Sequence, residues 1–335
     1  MVGISTIADM VPLVGENRVL AAYGLNVLNK SKRQGLLQLL SFGKEVVGNI
    51  DEESVSFTIA PRLNSASRMS DPIIAFHALV GSGKDSIDVA YELEMLNKQR
   101  KSDVLSANSM VNIKEVANDK IVLAGDSSWS PGILGLISQK IVEKTKKTAF
   151  VWGGVTDDGV VKGSVRSGVD KNRANVVQLM SDCQDLLLHF GGHEEAGGFA
   201  VKTDNLPKLK LRLQELYREC DILDRKEQSV IRVKSEDLTA NLLEKLDIYK
   251  PYGVGNPAPT FALEENFEIR RFGLNGKHLE LTFAGKNKLK AIKWNIDDEI
   301  VKGLDSMQLV TGNLKRDKYR GGVQLMITDI KTDLS

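Results

Sequence analysis

Two cysteines in 335 residues are too few for a disulfide scaffold or a cysteine-ligated zinc site, and both, Cys183 and Cys220, fall in stretches that read as helices. No uncharged apolar run reaches the roughly 18 residues a membrane-crossing helix needs, so no membrane is expected among the partners. The opening MVGISTIADMVPL has no basic n-region, so no secretory signal is expected there and a cytoplasmic location is. Net charge is nearly missing as well. Forty-five Lys and Arg face 44 Asp and Glu, leaving +1 at pH 7. Any affinity for nucleic acid must therefore come from local patches, not from a global field.

What is present suits a soluble chain with real cores: 42% hydrophobic and 27% charged residues. The length suggests two or three domains. Gly3 to Leu13 reads as a buried strand ending in a carboxylate, Asp9. Such a carboxylate suits a hard-metal ligand, because the strand fixes its direction; a turn aspartate or helix N-cap is the competing reading. Residues 17–29 and 32–49 follow as amphipathic helices. Pro61 then opens a loop in which Arg62 and Arg68 flank Asn64, Ser65 and Ser67. Arginine forks match phosphate oxygens and the amide and hydroxyls add neutral donors; internal loop caps would use the same residues.

From Asp85 to Asn118 there is neither Gly nor Pro, and apolar residues recur at helical spacing. A helix of that length would reach about 50 Å, long enough to connect two globular units. A coiled coil would need sustained a/d heptads, which the stretch lacks.

Residues 120–220 alternate strand and helix: strands at 121–125, 149–152, 160–166 and 198–202, helices at 131–146, 172–190 and 206–220. Three anion-friendly features fall in this region. The Ser130-Pro131-Gly132 turn opens a helix with free N–H groups. Lys162 to Gly168 places Ser164, Arg166 and Ser167 in one turn, and Asp157, Asp158 and Asp170 lie near enough to pair with Arg166 instead. The stretch His189 to Val201 packs Gly191, Gly192, His193, two glutamates and two more glycines into what reads as a helix-to-strand turn. A plain tight turn plugged by its histidine is the simpler account.

Beyond the charged run 224–228 come a helix at 236–248 and short strands at 229–234, 278–284, 289–294, 307–314 and 319–328. Five or so strands in about 110 residues fit a small Greek-key barrel of the OB type, which often binds single strands. Tyr252, Trp294 and Tyr319 are the candidate base-stacking residues; burial in the core is an equal reading for Trp294.

The ordered motifs resemble those of the RecJ-type single-stranded-DNA exonucleases of the DHH phosphoesterase superfamily. Thr6 to Asp9 with Val11-Pro12-Leu13 is similar to the last metal-ligand motif of their catalytic domain. Pro61 through Arg68 resembles their PRLNAAGR block. Gly132 to Leu136, Gly163 to Ser167, and Gly191-Gly192-His193 with Ala196 to Gly198 resemble signatures of the DHH-associated domain. Pro251 to Phe261 resembles the PFGxGNPxPxF entry to the OB-like domain. The resemblance implies an α/β chain in four parts. These are a remnant of the DHH catalytic domain at 1–82, a connecting helix at 83–118, an α/β DHH-associated domain at 119–223 and an OB-like β-barrel at 224–335.

It also implies a metal-dependent 5′→3′ exonuclease of DNA repair and recombination. Asp9 would help hold Mn²⁺ or Mg²⁺, Ser164 and Arg166 a 5′ phosphate, and Arg62 or Arg68 with the Gly192-His193 turn the neighbouring phosphates. No D-H-H triplet occurs, Ser130 stands where the family has histidine, Gly197 where it has alanine, and Ser5 where it has glycine. A fragment inactive alone is therefore expected, partnered by the strand's 5′ end and by a missing N-terminal DHH half or a single-strand-binding protein. A non-catalytic strand-binding or scaffold protein is the alternative. Small-nucleotide hydrolysis is disfavoured by the OB-like tail, and alanyl-tRNA editing by Asp9 and the Pro61–Arg68 block, which have no place there.

Overall fold

The computed structural model describes residues 1–111, 119–169, 173–217, 229–296, 309–317 and 320–331. The chain divides into two compact units, residues 1–28 with 227–335, and residues 29–226.

The expected first strand is a helix, α1 (Val2–Ala8), which packs on α2 (Gly15–Leu28). Gly3, Ile4, Thr6 and Ile7 are its buried residues. That spacing is helical; the short apolar run fits either period, and packing on α2 decides it. The second expected helix shortens to α3 (Gln34–Phe42). A π-helical turn, Ser54–Ile59, runs without a break into α4 (Ala60–Met69), so Pro61 lies within a continuous helix just after the wider turn, which accommodates its ring and missing N–H, and opens no loop. After α5 (Ile73–Val80) comes α6 (Gly83–Met110), 28 residues and about 42 Å long. Residues 112–118, expected to extend it, lie outside the described residues. Leu39, Ala66, Ala78, Ala90 and Leu93 form the core between α3, α4, α5 and the first half of α6.

The α/β region is a five-stranded sheet. Its strands are β1 (Val122–Asp126), β2 (Ala149–Gly153), β3 (Val160–Arg166), β4 (Leu187–His193) and β5 (Ala196–Lys202), in the order β1-β2-β3-β5-β4. Only the β1–β2 pair is parallel. Helix α7 (Leu134–Thr145) and the last turns of α6 cover one face. Helices α8 (Val176–Ser181) and α9 (Leu206–Leu216) cover the other. Strand alternation sorts the two cores: Phe150, Val161 and Val165 face α8 and α9, while Ala149 and Val151 face α7.

The expected helix over 172–190 is therefore only six residues long and gives way to β4. The Gly191–Gly198 stretch is a β-hairpin, with Glu194 and Glu195 at its turn and His193 paired with Ala196. Cys183 lies in the turn after α8, where burial pushes its thiol up to about 11 and keeps it unreactive; Cys220 lies outside the described residues.

The C-terminal region begins with β6 (Val230–Arg232) and α10 (Ala240–Asp247), the latter shorter than expected. Two strands not read from the sequence follow, β7 (Thr260–Leu263) and β8 (Phe267–Phe272), then β9 (His278–Phe283), β10 (Lys290–Lys293), β11 (Leu309–Arg316) and β12 (Val323–Lys331). Their order is β6-β7-β11-β12-β10-β9-β8. β7 and β8 are separated by residues 264–266 alone, so one bent segment pairs with β11 at one end and β9 at the other. This continuity curls the sheet into an OB-type barrel. Leu279, Leu281, Phe283, Ala291, Val310 and Leu325 fill it.

On the outside of this barrel Glu280 is nearly buried, its side chain 5% exposed, with Lys290 Nζ at 3.1 Å, Arg320 Nη1 at 2.8 Å and Arg270 Nη1 at 3.6 Å. Burial alone would raise this carboxyl. Hydrogen bonds from Arg320 and Lys290, together with their charges, hold it below the ordinary carboxylate value. A depressed carboxyl stabilises the fold above its unfolded value, and the contribution disappears as pH falls through the folded one. Urea unfolding over an acid series should therefore show wild-type stability falling towards Glu280→Gln at low pH. Curves that stay parallel at all pH would rule the effect out.

Candidate phosphate-binding site

Ser164 and Arg166 occupy β3 positions opposite in parity to Val161 and Val165, so both face α7. Their strand neighbours are small: Arg166 lies between Ala149 and Ala196, and Ser164 between Val151 and Gly198. This leaves room for a guanidinium to lie over the sheet. The facing helix residue is Gly135, where a Cβ would stand 3.1 Å from Arg166 Nη2 and 3.3 Å from Ser164 Oγ. Any larger residue there would displace the arginine. Arg166 donates to its neighbour's carbonyl, Val165 O, at 2.9 Å, and only at 3.4 Å to Ser164 Oγ, whose own bond to Gly197 O is equally long. The hydroxyl thus retains most of its capacity for a ligand.

Arg68 arrives from the last turn of α4 and donates to Gly132 O at 3.1 Å. A Cβ on Gly132 would stand 2.1 Å from Arg68 O, so the turn before α7 closes on the end of α4. Arg100 comes from α6. Its Nη2 is held by Asn97 Oδ1 at 2.8 Å, and its Nε is buried with no partner. Burial lowers all three arginines, and the charge of Arg68 lowers Arg100 and Arg166 further. None has a carboxylate in salt-bridge range among the described residues. Guanidiniums still carry their proton at any ordinary pH. The result is a partly desolvated cluster of three positive charges with one unsatisfied donor, an arrangement that a phosphate would complete.

The remaining expected residues divide. Asn64 is exposed on α4, one turn before Arg68, and Ser130 is exposed at the turn before α7 without capping it. Gly191, Gly192 and His193 are exposed at the hairpin end, Gly192 pairing with Gly197 beside Val165. Gly192 has φ +149, and a Cβ there would meet Ala196 O at 2.4 Å. The carbonyls of Glu194 and Glu195 are already taken by Val176 N and Ser167 N, and Glu195 pairs with Arg173.

Two expected phosphate ligands are otherwise engaged. Arg62 is buried, with Nε 2.7 Å from Glu94 and Nη1 2.7 Å from Thr58 O. Ser167 is buried too, its hydroxyl donating to Ala174 O and accepting from Ala174 N. Asp157 and Asp158 do not pair with Arg166, and Asp170 lies outside the described residues. Arg100 went unread, although its spacing from Leu93, Asn97 and Val104 puts it on the buried stripe of a helix, where an arginine is out of place.

Of the stacking candidates, Tyr252 is partly buried and donates its hydroxyl to Leu246 O at 2.7 Å. Trp294 is 50% exposed. Tyr319 lies outside the described residues.

The DHHA1 domain family matches residues 116–219 and the RecJ OB domain family matches 231–329. The single-stranded-DNA-specific exonuclease RecJ of Bacillus subtilis is 32% identical over 98% of this chain. The chain belongs to the RecJ family. Crystal structures of RecJ from Thermus thermophilus, in complex with Mg²⁺ or Mn²⁺, superpose with TM-scores of 0.80 and 0.81 at 26% identity, each covering 99% of this chain. The chain spans 43% of the Bacillus relative and 52% and 49% of the two Thermus chains.

The metals in those relatives prompt a comparison with the donors here. Asp9 is exposed as the C-cap residue of α1, and no three His, Cys, Asp or Glu side chains converge among the described residues. A two-ion site needs several such ligands. The described residues do not make one.

Proposed function

We propose that this chain is the strand-holding part of a RecJ-like 5′→3′ single-stranded-DNA exonuclease, and that Arg68, Arg100, Arg166 and Ser164 seat the phosphate at the strand's 5′ end. The observation that carries this reading is the uncompensated cluster of three guanidiniums. A terminal phosphate monoester carries about 1.5–2 negative charges against one for an internal diester. A cluster of cations and a neutral hydroxyl donor therefore prefers the end. Asn64, Ser130 and the Gly192-His193 hairpin flank the seat for the following nucleotides. A cytoplasmic role in DNA repair and recombination is part of the same proposal. The test is competition at fixed salt between strands with and without a 5′ phosphate; equal affinity of the wild type would end the proposal.

Hydrolysis requires metal ligands that the described residues do not gather, supplied by a DHH half or another chain. A strand-binding protein that does not cut is the second reading, favoured by the isolation of Asp9. In either case residues 1–335 alone should release no nucleotides from 5′-labelled single strands, even with Mn²⁺. Release that disappears in Asp9→Ala would show that a working site exists here.

A further inference from the structure

Two strands end the seven-stranded sheet, β6 and β8, and of these β8 is the longer, with six residues against three. Among the described residues β8 is paired with β9 alone. In an antiparallel pair every second residue turns its N–H and C=O away from the neighbour, so the outer edge of β8 is a row of unpaired groups. Proteins usually protect such an edge with Pro, a bulge or repelling charge. β8 has no Pro, its register with β9 is unbroken, and its charges are of both signs: Glu268 with Arg270 and Arg271.

The two faces of β8 differ. Phe267, Ile269 and Arg271 stand opposite the core residues Phe283, Leu281 and Leu279, which puts them on the barrel's inner side. Ile269 is nevertheless 39% exposed, with no strand beyond it among the described residues. Glu268 and Arg270 lie on the outer side. Glu268 makes no ion pair among the described residues. Arg270 reaches only Glu280, at 3.6 Å, a carboxylate that Lys290 and Arg320 already hold at 3.1 and 2.8 Å. Both charges are free to take a new partner.

The strand is complementary to itself reversed. Laid antiparallel on a second copy with Ile269 at the two-fold axis, β8 sets Ile269 against its own counterpart. Glu268 then faces the second copy's Arg270, and Arg270 faces the second copy's Glu268. Directly opposite side chains share a face and stand about 5 Å apart. The apolar contact therefore forms on the inner side and both ion pairs on the outer. We propose that two copies of this chain associate through β8 as a two-fold dimer, joining their barrels by one continuous sheet. The exposed stripe of Val19, Tyr23 and Val27 on α2 is apolar too, but no charge pattern there names an occupant. One strand pair buries less than the roughly 1,000 Å² of a stable interface, so the association is weak and concentration-dependent.

Sedimentation velocity of the full chain over a concentration series tests this. The wild type should pass from monomer to dimer below about 1 mM. Glu268→Arg and Arg270→Glu should each associate at least about tenfold more weakly, because each opposes like charges twice in one dimer. Mixed in equal amounts, the two variants should recover wild-type association, since every like pair becomes an opposite pair. The double variant, Glu268→Arg with Arg270→Glu, should recover it alone. A variant that merely misfolds is not rescued by mixing. A wild type still monomeric at about 1 mM would overturn the dimer, as would a mixture that stays monomeric. Association that persists in both single variants would place the contact elsewhere, on α2 or β6, and overturn it too.

Discussion

Arg166→Ala is expected to bind 5′-phosphorylated and unphosphorylated single strands equally, where the wild type favours the phosphorylated strand about ten- to hundredfold. The magnitude is that of one charge-assisted hydrogen bond set, roughly 1.5–3 kcal/mol. The same substitution should not lower thermal stability. Arg166 has no carboxylate partner among the described residues, and Arg68 repels it. Its strongest contact is with the carbonyl of its own neighbour, Val165. A residue that is costly to the fold and essential to the ligand marks a binding site. Retained discrimination in the variant would remove Arg166 from the seat, and a large drop in melting temperature would show that it holds the fold instead.

The second large effect has the opposite signature. Arg62→Ala should lose about 2–4 kcal/mol of stability, because it leaves the nearly buried Glu94 carboxylate with only the exposed Lys98, 3.7 Å away, as a cationic partner. It also removes the donor to Thr58 O and the stacking of the guanidinium 5.6 Å over the Phe42 ring. Phosphate discrimination, measured below the variant's unfolding temperature, should survive unchanged. Chemical denaturation and the strand competition together decide the point. A stable variant that no longer recognises the 5′ phosphate would restore Arg62 to the binding site.

Arg62 and Arg68 show where sequence reasoning stopped. Both belong to one motif, and as members of a loop they look equivalent. On a helix, six residues put them about 120° apart around the axis at 3.6 residues per turn. Arg62 then turns into the α4–α6 interface while Arg68 reaches the turn before α7. Once Pro61 is taken as part of a helix, that separation follows directly.

Alternation and helical period by themselves determined α2, α7, α9 and strands β1 to β3, whereas Ser164 and Arg166, read as members of one turn, share a face because both belong to β3. Ordered motifs determined the family. Tertiary packing decided the rest, wherever two local periods competed or a partner lay far along the chain. The Leu186–Leu188 run suits helix or strand equally, and pairing with β5 makes it β4. Gly3 to Ala8 suits either as well, and α2 makes it helix. The arginine cluster joins α4, α6 and β3, and Glu280 draws cations from three elements. No local pattern encodes such convergence, because it depends on which faces the helices and strands turn towards one another.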